Sequence, residues 1–410
     1  MSQRRVAALA LASLALAAAG LAVADVPSER PGESLTLPSP TPHWIWVGDL
    51  VFRRSALLDA DSGRFLGMLS SGVGVIAPSV SPARGEIYLP ETYYSRGSRG
   101  ERTDLVTVYD AARLAPIAEI RIPPKRADVV NGAALSTLLD DGRFLAVFNL
   151  TPATSVTIVD VVAREPVGEI ATPGCSLVYA AGPRRFASLC GDGSLLLVTL
   201  DEAGREASRQ RSEKFFNPID DPVTEKAVRG GDRWLFVSYE GIVHPVDFSA
   251  DAPRFDKSWS LLDAADRDAG WRVGGTQHVA LHQGSGRLYA LVHHGGPGSH
   301  KEGGTQVWVY DLAAQQRVQQ IAVGNLVGSF AAARMGIHGG VGAWLVEHVV
   351  PSVGADSIAV TQDADPRLLM VTRQAGTVGV YDARSGAWLR DIEDVGLAPG
   401  VLLAPWRNAP

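Results

Sequence analysis

The chain has 410 residues, of which 46% are hydrophobic and 20% are charged. This apolar content is far above that of disordered chains and allows a large packed core. The 38 basic and 44 acidic residues give a formal charge of −6, without a basic block. The balance argues against nucleic acid or an anionic membrane as the main partner.

The first residues have the features of a secretory signal peptide. Arg4 and Arg5 precede an uncharged Ala/Leu run, and the Ala-Val-Ala of residues 22–24 forms a small-residue cleavage site. A retained membrane anchor is the competing interpretation. No later run reaches the roughly 20 apolar residues of a membrane-spanning helix. We therefore predict a signal peptide at 1–24, a flexible Pro/Ser-rich arm at 25–42 and an exported mature protein.

One sequence unit recurs seven times along the rest of the chain: a β-branched run, an aspartate, a polar turn and a second apolar run. Examples are VTVYDAARLAPIAEI and VTIVDVVAREPVGEI. The seven aspartates are Asp59, Asp110, Asp160, Asp201, Asp247, Asp311 and Asp382. An aspartate at a strand end can accept hydrogen bonds from the turn amides that follow it. Seven copies at this spacing predict an all-β fold, a seven-bladed β-propeller.

The first and last units are incomplete in complementary ways. The first begins at its second strand, HWIWVGDL (43–50), and the last ends with a spare strand, PGVLLAPW (399–406). We predict that these two strands pair and close the ring, which hides the sheet edges. The propeller would span 43–410, with excess stretches at 251–276, where SLLDAADRDAG suggests a short helix, and at 324–355. Such insertions emerge on a face or rim, where partners bind.

The two cysteines lie in one predicted hairpin. Cys175 and Cys190 are equally distant from the turn at 182–183, so they oppose each other if the hairpin is regular. Opposed residues in an antiparallel pair have Cα atoms about 4.5–5.5 Å apart, within reach of a disulfide. In an exported chain, two cysteines favour a structural bridge over a metal site or a nucleophile.

The sequence contains no recognisable catalytic constellation: nucleophile elbow, zinc-protease and phosphate-loop motifs are absent. His278 and His282 lie on a predicted inner strand, too far apart to share a metal. His293, His294 and His300 lie in a predicted loop and are a weak metal candidate. We predict no catalytic residue and no metal site in this chain. A propeller of this kind is usually a scaffold or a binding surface.

Five segments of the chain carry a family resemblance. They are DSGRFLGMLSSG (61–72), RTDLVTVYDAARLAPIAEIRIP (102–123), PGCSLVYAAGPRRFASLCGDGSL (173–195), DRDAGWRVGGTQHVALHQGSGRLYALV (266–292) and YDARSGAWLRDIEDVGLAPG (381–400). Together they resemble the heavy (large) subunit of the quinoprotein amine dehydrogenases, the methylamine and aromatic amine dehydrogenase family. The insertion at 324–355 has no counterpart that we can match to the methylamine type.

The resemblance implies the large subunit of a periplasmic α2β2 enzyme that oxidises primary amines to aldehyde and ammonia. The cofactor tryptophan tryptophylquinone and the catalytic base would belong to the small subunit, and a blue copper protein would accept the electrons. This chain would bind no cofactor, hold the small subunit and help to wall the substrate channel. The alternatives are a free-standing periplasmic propeller that binds a partner without redox activity and, ranked last, a propeller hydrolase.

The resemblance also suggests site residues. In the methylamine type a Phe after the first-blade turn narrows the channel, whereas the corresponding stretch here, VGVIAPSV (73–80), has no aromatic residue. This stretch supplies the expected channel-wall residues, which are Val73, Val75 and Ile76. Their side chains are smaller than Phe and would leave a wider channel, which suits a bulkier amine. Val75 and Ile76 equally suit ordinary strand core. The W-R-x-G-G segment supplies the expected subunit-interface residues, which are Trp271, Arg272, Gly274 and Gly275.

Overall fold

A computed structural model describes residues 36–73, 78–128, 132–337 and 339–406. Within these ranges thirty strands, numbered in chain order, form seven antiparallel sheets. The predicted signal peptide at 1–24 lies outside the described residues.

The strands of the first half are β1 (Trp44–Asp49), β2 (Arg54–Asp59), β3 (Phe65–Ser70), β4 (Ser79–Ser81), β5 (Glu86–Tyr94), β6 (Arg102–Asp110), β7 (Ala115–Ile122), β8 (Ser136–Leu138), β9 (Phe144–Asn149), β10 (Ser155–Asp160), β11 (Glu165–Ala171), β12 (Cys175–Ala180), β13 (Arg185–Cys190), β14 (Leu195–Leu200) and β15 (Glu206–Arg211).

The strands of the second half are β16 (Val228–Gly230), β17 (Arg233–Val237), β18 (Ile242–Asp247), β19 (Arg254–Phe255), β20 (Trp259–Ser260), β21 (Trp271–Val273), β22 (Val279–His282), β23 (Arg287–His294), β24 (Gln306–Asp311), β25 (Gln316–Ala322), β26 (Ser357–Val360), β27 (Arg367–Val371), β28 (Val378–Asp382), β29 (Trp388–Ile392) and β30 (Pro399–Leu403). The helices are a 3-10 turn (Ala133–Leu135), α1 (Ala264–Asp268), α2 (Leu326–Arg334) and α3 (Gly340–Val349).

Each sheet is one blade, and the seven-bladed prediction is confirmed. The strands follow chain order across a blade, as in β4-β5-β6-β7 and β12-β13-β14-β15. In the fourth blade β14 is almost wholly buried, whereas every residue of β15 is exposed. The third strand therefore packs between neighbouring blades and the fourth forms the rim, which explains why the third-strand runs are so apolar.

Ring closure follows the predicted strand exchange. β30 pairs antiparallel with β1, with Trp46 opposite Leu403 and Gly48 opposite Val401. The first blade is therefore β30-β1-β2-β3. The closing strand ends at Leu403, three residues before the predicted end, and the pairing covers the inner edge of β1.

The seven aspartates act as predicted. The Oδ1 atom of Asp110 accepts hydrogen bonds from the backbone N–H groups of Ala112 and Arg113, at 2.9 and 2.8 Å. Equivalent turns follow the other six aspartates. Six of the aspartates are the last residue of a third strand, and Asp201 directly follows β14. Each fixes the turn into the rim strand.

The predicted hairpin disulfide is confirmed. Cys175 lies directly opposite Cys190 in the pairing of β12 with β13. The two sulfurs are bonded and the Cα atoms are 3.9 Å apart. The bridge therefore ties the innermost strand of the fourth blade to its neighbour.

The two excess stretches have different structures. In 251–276, β19 and β20 both pair with β18 as the rim of the fifth blade, and the predicted short helix corresponds to α1. The stretch 324–355 forms α2 and α3, which the sequence analysis did not predict. Asn325 accepts a hydrogen bond from the Gly328 N–H and donates to the carbonyls of Glu347 and Val350, so it joins the start of α2 to the end of α3.

His43 links the first blade to the seventh. Its Nδ1 lies 2.5 Å from Asp61 and its Nε2 lies 3.0 Å from Asp363. Arg367 faces the same group and pairs with Asp61 at 3.0 Å. Burial alone would lower the pKa of His43, but the two carboxylates outweigh burial and Arg367, so the pKa is raised above its usual 6.5.

This contact should make stability depend on pH. The contribution of His43 is complete below pH 6.5 and is lost as pH rises through the raised pKa of the folded protein. Because Asp61 is half-exposed, screening limits the effect to about 1 kcal/mol. Urea unfolding across this pH range should show the loss in wild type and not in His43→Gln, with the exposed His348→Gln as control. Parallel pH profiles for wild type and His43→Gln would contradict the prediction.

Candidate docking face and channel loop

The blade topology gives the propeller two different faces. Because strands alternate in direction, the connections between blades and between second and third strands leave from one end, which we call the upper face. The turns after the seven aspartates and the turns between first and second strands leave from the other end, the lower face. The upper face includes residues 50–53, 212–227 and 393–398 and helices α2 and α3.

Exposed large apolar side chains are concentrated on the upper face. They are Val51, Phe52, Leu150, Ile219, Met335, Val341, Trp344, Leu345, Val349 and Leu397. In the described part of the chain, the turns of the lower face contribute only Val162 to this class. The lower face instead carries ion pairs such as Arg143 with Asp160 at 2.7 Å. Exposed apolar side chains concentrated on one face indicate an interaction surface.

Helix α3 presents an apolar stripe to solvent. Val341, Leu345 and Val349 are four residues apart and therefore share one helix face, with 75%, 51% and 79% of their surfaces exposed. Trp344 lies beside them, half-exposed. Ala343 is the buried residue of the helix. A surface helix normally buries such a stripe against the protein core. In α3 the stripe faces solvent instead, as expected of a surface that a partner chain covers.

Two contacts join the helical insertion to the first blade. Arg334, at the end of α2, pairs with Asp394 at 3.3 Å, which joins the helices to the connection 393–398. The carboxylate of Asp49 accepts from the N–H groups of both Phe52 and Leu397 and so joins that connection to residues 50–53. We call this surface the docking patch, and its members are Val51, Phe52, Met335, Val341, Trp344, Leu345, Val349 and Leu397.

The expected interface residues Trp271 and Arg272 are half-buried in β21. The indole of Trp271 lies 3.8 Å from the ring of His294 and 5.1 Å from that of Trp308. The guanidinium of Arg272 donates to the carbonyl of Arg267 at 3.2 Å. Part of each side chain remains accessible, and their interface role stays a prediction.

Gly274 and Gly275 are buried and have an internal packing reason. A Cβ on Gly274 would lie 2.5 Å from the carbonyl oxygen of Glu302. Gly275 has a φ of +118°, and its Cβ would lie 2.7 Å from the carbonyl oxygen of Asp356. These contacts account for both glycines within the chain, so a direct interface role for them also stays a prediction.

Of the expected channel-wall residues, Val73 is described, whereas Val75 and Ile76 lie outside the described residues. Val73 is half-buried on the upper face. Its N–H donates to the carbonyl of Thr92 at 2.6 Å, and its carbonyl accepts from Arg126 at 2.7 Å. The start of the channel loop, which we define as residues 72–78, is therefore held by the second blade.

The histidines singled out in the sequence have different surroundings. His293 and His294 are the last residues of β23 and do not lie in a loop as predicted. His300 stacks on Tyr239 at 3.5 Å. His278 is deeply buried, and burial lowers its pKa to about 4, so it is neutral at neutral pH. Among the described residues, no group of three or more His, Cys, Asp or Glu is arranged to hold a metal ion.

A cavity of about 330 Å³ lies among the first strands of the blades, lined by residues such as Ser79, Thr137 and Val401. Its wall includes Glu225 and Lys226, whose charged atoms are 2.8 Å apart. Burial would raise the pKa of Glu225, but Lys226 outweighs it and the pKa is lowered. The carboxylate is therefore ionised and engaged with lysine at neutral pH.

Residues 50–335 and 346–405 match the family model for the methylamine dehydrogenase heavy chain. The chain belongs to the methylamine dehydrogenase heavy chain family. It is 27% identical over 376 residues to the methylamine dehydrogenase heavy chain of Paracoccus versutus, covering 90% of this chain and 80% of that one. It is 26% identical over 351 residues to the one from Methylobacillus flagellatus, covering 84% and 80%.

Solved structures show the same fold at low sequence identity. A functionally unknown protein from Desulfotomaculum acetoxidans has a TM-score of 0.54 and 11% identity, covering 88% of this heavy chain and 98% of that chain. Dihydro-heme d1 dehydrogenase NirN has a TM-score of 0.52 and 15% identity, covering 91% and 67%. Among the described residues of the heavy chain, no helix is long and apolar enough to cross a membrane.

The heavy-chain family match omits residues 336–345, which lie in the helical insertion. Val341, Trp344 and Leu345 of the docking patch are among them. Sequence analysis missed this patch, although Asn325 as a helix cap and the four-residue spacing of Val341 and Leu345 could have indicated it.

Proposed function

We propose that this heavy chain is the large subunit of an exported amine dehydrogenase that oxidises primary amines to aldehyde and ammonia. In this proposal the signal peptide at 1–24 is removed and the protein acts in the periplasm. A light (small) subunit carries tryptophan tryptophylquinone and the catalytic base in an α2β2 assembly, and a blue copper protein accepts the electrons.

The observation that carries this proposal is the docking patch on a chain of this family. A heavy chain that assembles with a light subunit needs an exposed apolar surface on one face, and the upper face has it. The same face holds the stem of the channel loop at Val73. Docking and channel formation can therefore occur on one side of the propeller.

The heavy chain would supply binding and enclosure rather than chemistry. Its docking patch would bury apolar area against the light subunit and exclude water from the channel. Its channel loop has valine and isoleucine where the methylamine type has an aromatic side chain, which leaves room for a bulkier amine. The quinone of the light subunit would supply the two-electron oxidation of the amine, and this chain would hold that subunit in place and enclose the channel.

The direct test is purification of the native protein from the periplasm. We expect a small chain to co-purify and a visible quinone absorbance to bleach when a primary amine is added. Methylamine and benzylamine should be compared as substrates, with a preference for benzylamine expected. A colourless single chain that is inert to amines with an electron acceptor present would favour the free-standing binding propeller instead.

The docking patch has its own prediction. Leu345→Glu together with Val341→Glu places two charges in the patch and should reduce light-subunit co-purification at least about tenfold, since charges are disfavoured in an interface core. The control is Val318→Glu on the rim strand β25, which is as exposed as Leu345, at 51%. Pull-down of the light subunit with each purified heavy chain measures the effect. Equal recovery with all three proteins would place the docking surface elsewhere.

A further inference from the structure

The cavity of about 330 Å³ among the first strands lies at the centre of the ring, and we call it the central cavity. Six of the seven blades contribute described first-strand residues to its wall, including Val401, Ser79, Ser136, Val178, Val228 and Val279. Small-molecule sites in proteins have volumes of about 300–1,000 Å³. The central cavity is at the lower end of this range, so its volume suits one small ligand.

The wall of the central cavity is mainly apolar. Val178, Val279 and Val401 belong to it, and so does Trp234. The indole N–H of Trp234 donates to the carbonyl of Ala180 at 2.8 Å, so its hydrogen-bonding group is already satisfied. The ring itself is left as apolar surface. Such a wall favours a ligand with an apolar body.

The described part of the wall contains two charged residues, Glu225 and Lys226. Lys226 binds Oε1 of Glu225 at 2.8 Å, and the side chain of Lys226 is 13% exposed, against 39% for Glu225. A Cβ on Gly132 would lie 2.8 Å from Nζ of Lys226, so the ammonium group lies against the main chain before the third blade. The carboxylate is therefore the more accessible charge, and its two oxygens can accept from a second cation as well.

The main chain of Glu225 is held by the fourth blade. The hydroxyl of Tyr179 donates to the carbonyl of Glu225 at 3.0 Å, and the tyrosine is 1% exposed. The ring of Tyr179 packs edge-to-face on Trp234, with centroids 5.2 Å apart. An anchor that is fixed before the ligand arrives loses little freedom on binding, which favours affinity.

The wall at the sixth blade is also fixed. Nε2 of Gln277 donates to the carbonyls of Ile358 and Leu402 at 2.9 and 2.8 Å, and its Oε1 accepts from the N–H of Leu402 at 3.2 Å. The side chain thereby joins the sixth blade to the seventh and the first. Both N–H donors of this amide are committed to the chain, so a charged ligand would meet Glu225 rather than Gln277.

The charge of the ligand follows from this arrangement. An anion would need Lys226, which is mostly buried and already bound to Glu225. A metal ion would need several ligands, and in the part of the chain that the structure describes no three His, Cys, Asp or Glu residues are arranged to hold one. A primary ammonium group has three N–H donors. These suit one carboxylate together with hydroxyl acceptors such as those of Ser136 and Thr137 in the same wall.

We propose that the central cavity binds a primary ammonium ion with an apolar body. Glu225 accepts hydrogen bonds from the ammonium group, and the apolar body lies against Val178, Trp234 and Val401. The heavy chain therefore binds an amine by itself, without the light subunit. That this ligand is the amine which the enzyme oxidises rests on the proposed function.

Calorimetric titration of the purified heavy chain tests the ligand class. Benzylamine is the probe, and benzyl alcohol, benzoate and methylamine are compared with it at neutral pH. We expect a single benzylamine to bind at least about tenfold more tightly than benzyl alcohol, because hydrogen bonds to charged groups are strong. Methylamine should bind more weakly than benzylamine because it lacks the apolar ring. Tighter binding of benzoate, or equal binding of benzylamine and benzyl alcohol, would overturn the proposal.

Two variants locate the site. Glu225→Gln keeps the shape of the side chain and should weaken benzylamine binding at least about tenfold, while the affinity for benzyl alcohol stays within about twofold. Thr137→Phe fills the cavity, leaves the ion pair in place and should abolish the binding of both. The matched control is Glu202→Gln, at a side chain that is 95% exposed, which should bind benzylamine like wild type. If one of the two cavity variants does not fold, the other still decides. Wild-type affinity in a folded cavity variant would place the ligand elsewhere.

Failure of this inference is distinguishable from failure of the proposed function. A heavy chain that does not bind benzylamine would overturn the inference, whereas amine turnover by the assembled subunits would still support the proposed function. Benzylamine binding that depends on Glu225, in an assembly without amine turnover, would refute the proposed function and leave the binding site standing.

Discussion

Replacing Asp49 with alanine should lower the free energy of unfolding by about 4 kcal/mol, because it removes a buried carboxylate that accepts four backbone hydrogen bonds. The carboxylate is 1% exposed. Its Oδ1 accepts from the N–H groups of Val51 and Phe52 at 2.8 and 2.7 Å, and its Oδ2 accepts from Leu397 and Ala398 at 2.5 and 3.1 Å. One side chain therefore holds the connections on both sides of the ring closure.

The pH dependence gives a second measure of the same contact. Burial alone would raise the pKa of Asp49, but the four N–H donors outweigh it and hold the pKa below its usual 3.8. The stabilisation is therefore present above pH 3.8 and is lost as pH falls through the lowered pKa. Asp49→Asn, which keeps one acceptor oxygen, should lose about half as much as the alanine variant.

Urea unfolding of the isolated heavy chain measures these losses. The control is Asp59→Ala, which removes the same kind of turn acceptor at a more accessible position and should cost about 1 kcal/mol or less. Equal losses for Asp49→Ala and Asp59→Ala would show that the ring closure does not depend on this carboxylate.

Loss of the disulfide should also be severe. Cys175 and Cys190 are 15 residues apart, and closing a loop of this length stabilises a folded chain by about 3 kcal/mol, chiefly by restricting the unfolded state. The double variant Cys175→Ala with Cys190→Ala should lose this amount in urea unfolding.

A reducing agent provides the control for that prediction. Reduction of wild type should bring its stability close to that of the double variant, while the variant itself should not respond. If the variant also loses stability in the reducing agent, or if wild type does not, the stabilisation comes from another source.

Local patterns predicted the fold well because propeller blades repeat. Each turn aspartate lies next to its own strand, so the seven copies were visible in one dimension. The disulfide was predictable for a related reason: both cysteines belong to one hairpin, whose register follows from the position of its turn.

The long-range contacts of buried charged side chains were not predictable in this way. Arg126 lies in an irregular connection and contacts Val73, 53 residues earlier in the chain. Asp49 contacts Leu397, 348 residues away. Such long-range pairs leave no periodic pattern in the sequence. An aspartate that accepts hydrogen bonds across the ring closure cannot be distinguished in sequence from one that caps an exposed turn.

By itself, the sequence determined the blade count, the strand order and the hairpin disulfide, because each depends on neighbours in the chain. It also determined the exchange of the last strand, because the first unit lacks an inner strand and the last unit has a spare one. It also carried the family resemblance that the family match confirmed. Only the tertiary structure decided which face carries the docking patch and which buried charges hold the main chain of Gly72 and Val73. Those features depend on side chains from distant segments meeting after the ring closes, when burial makes each unpaired charge or exposed apolar stripe costly.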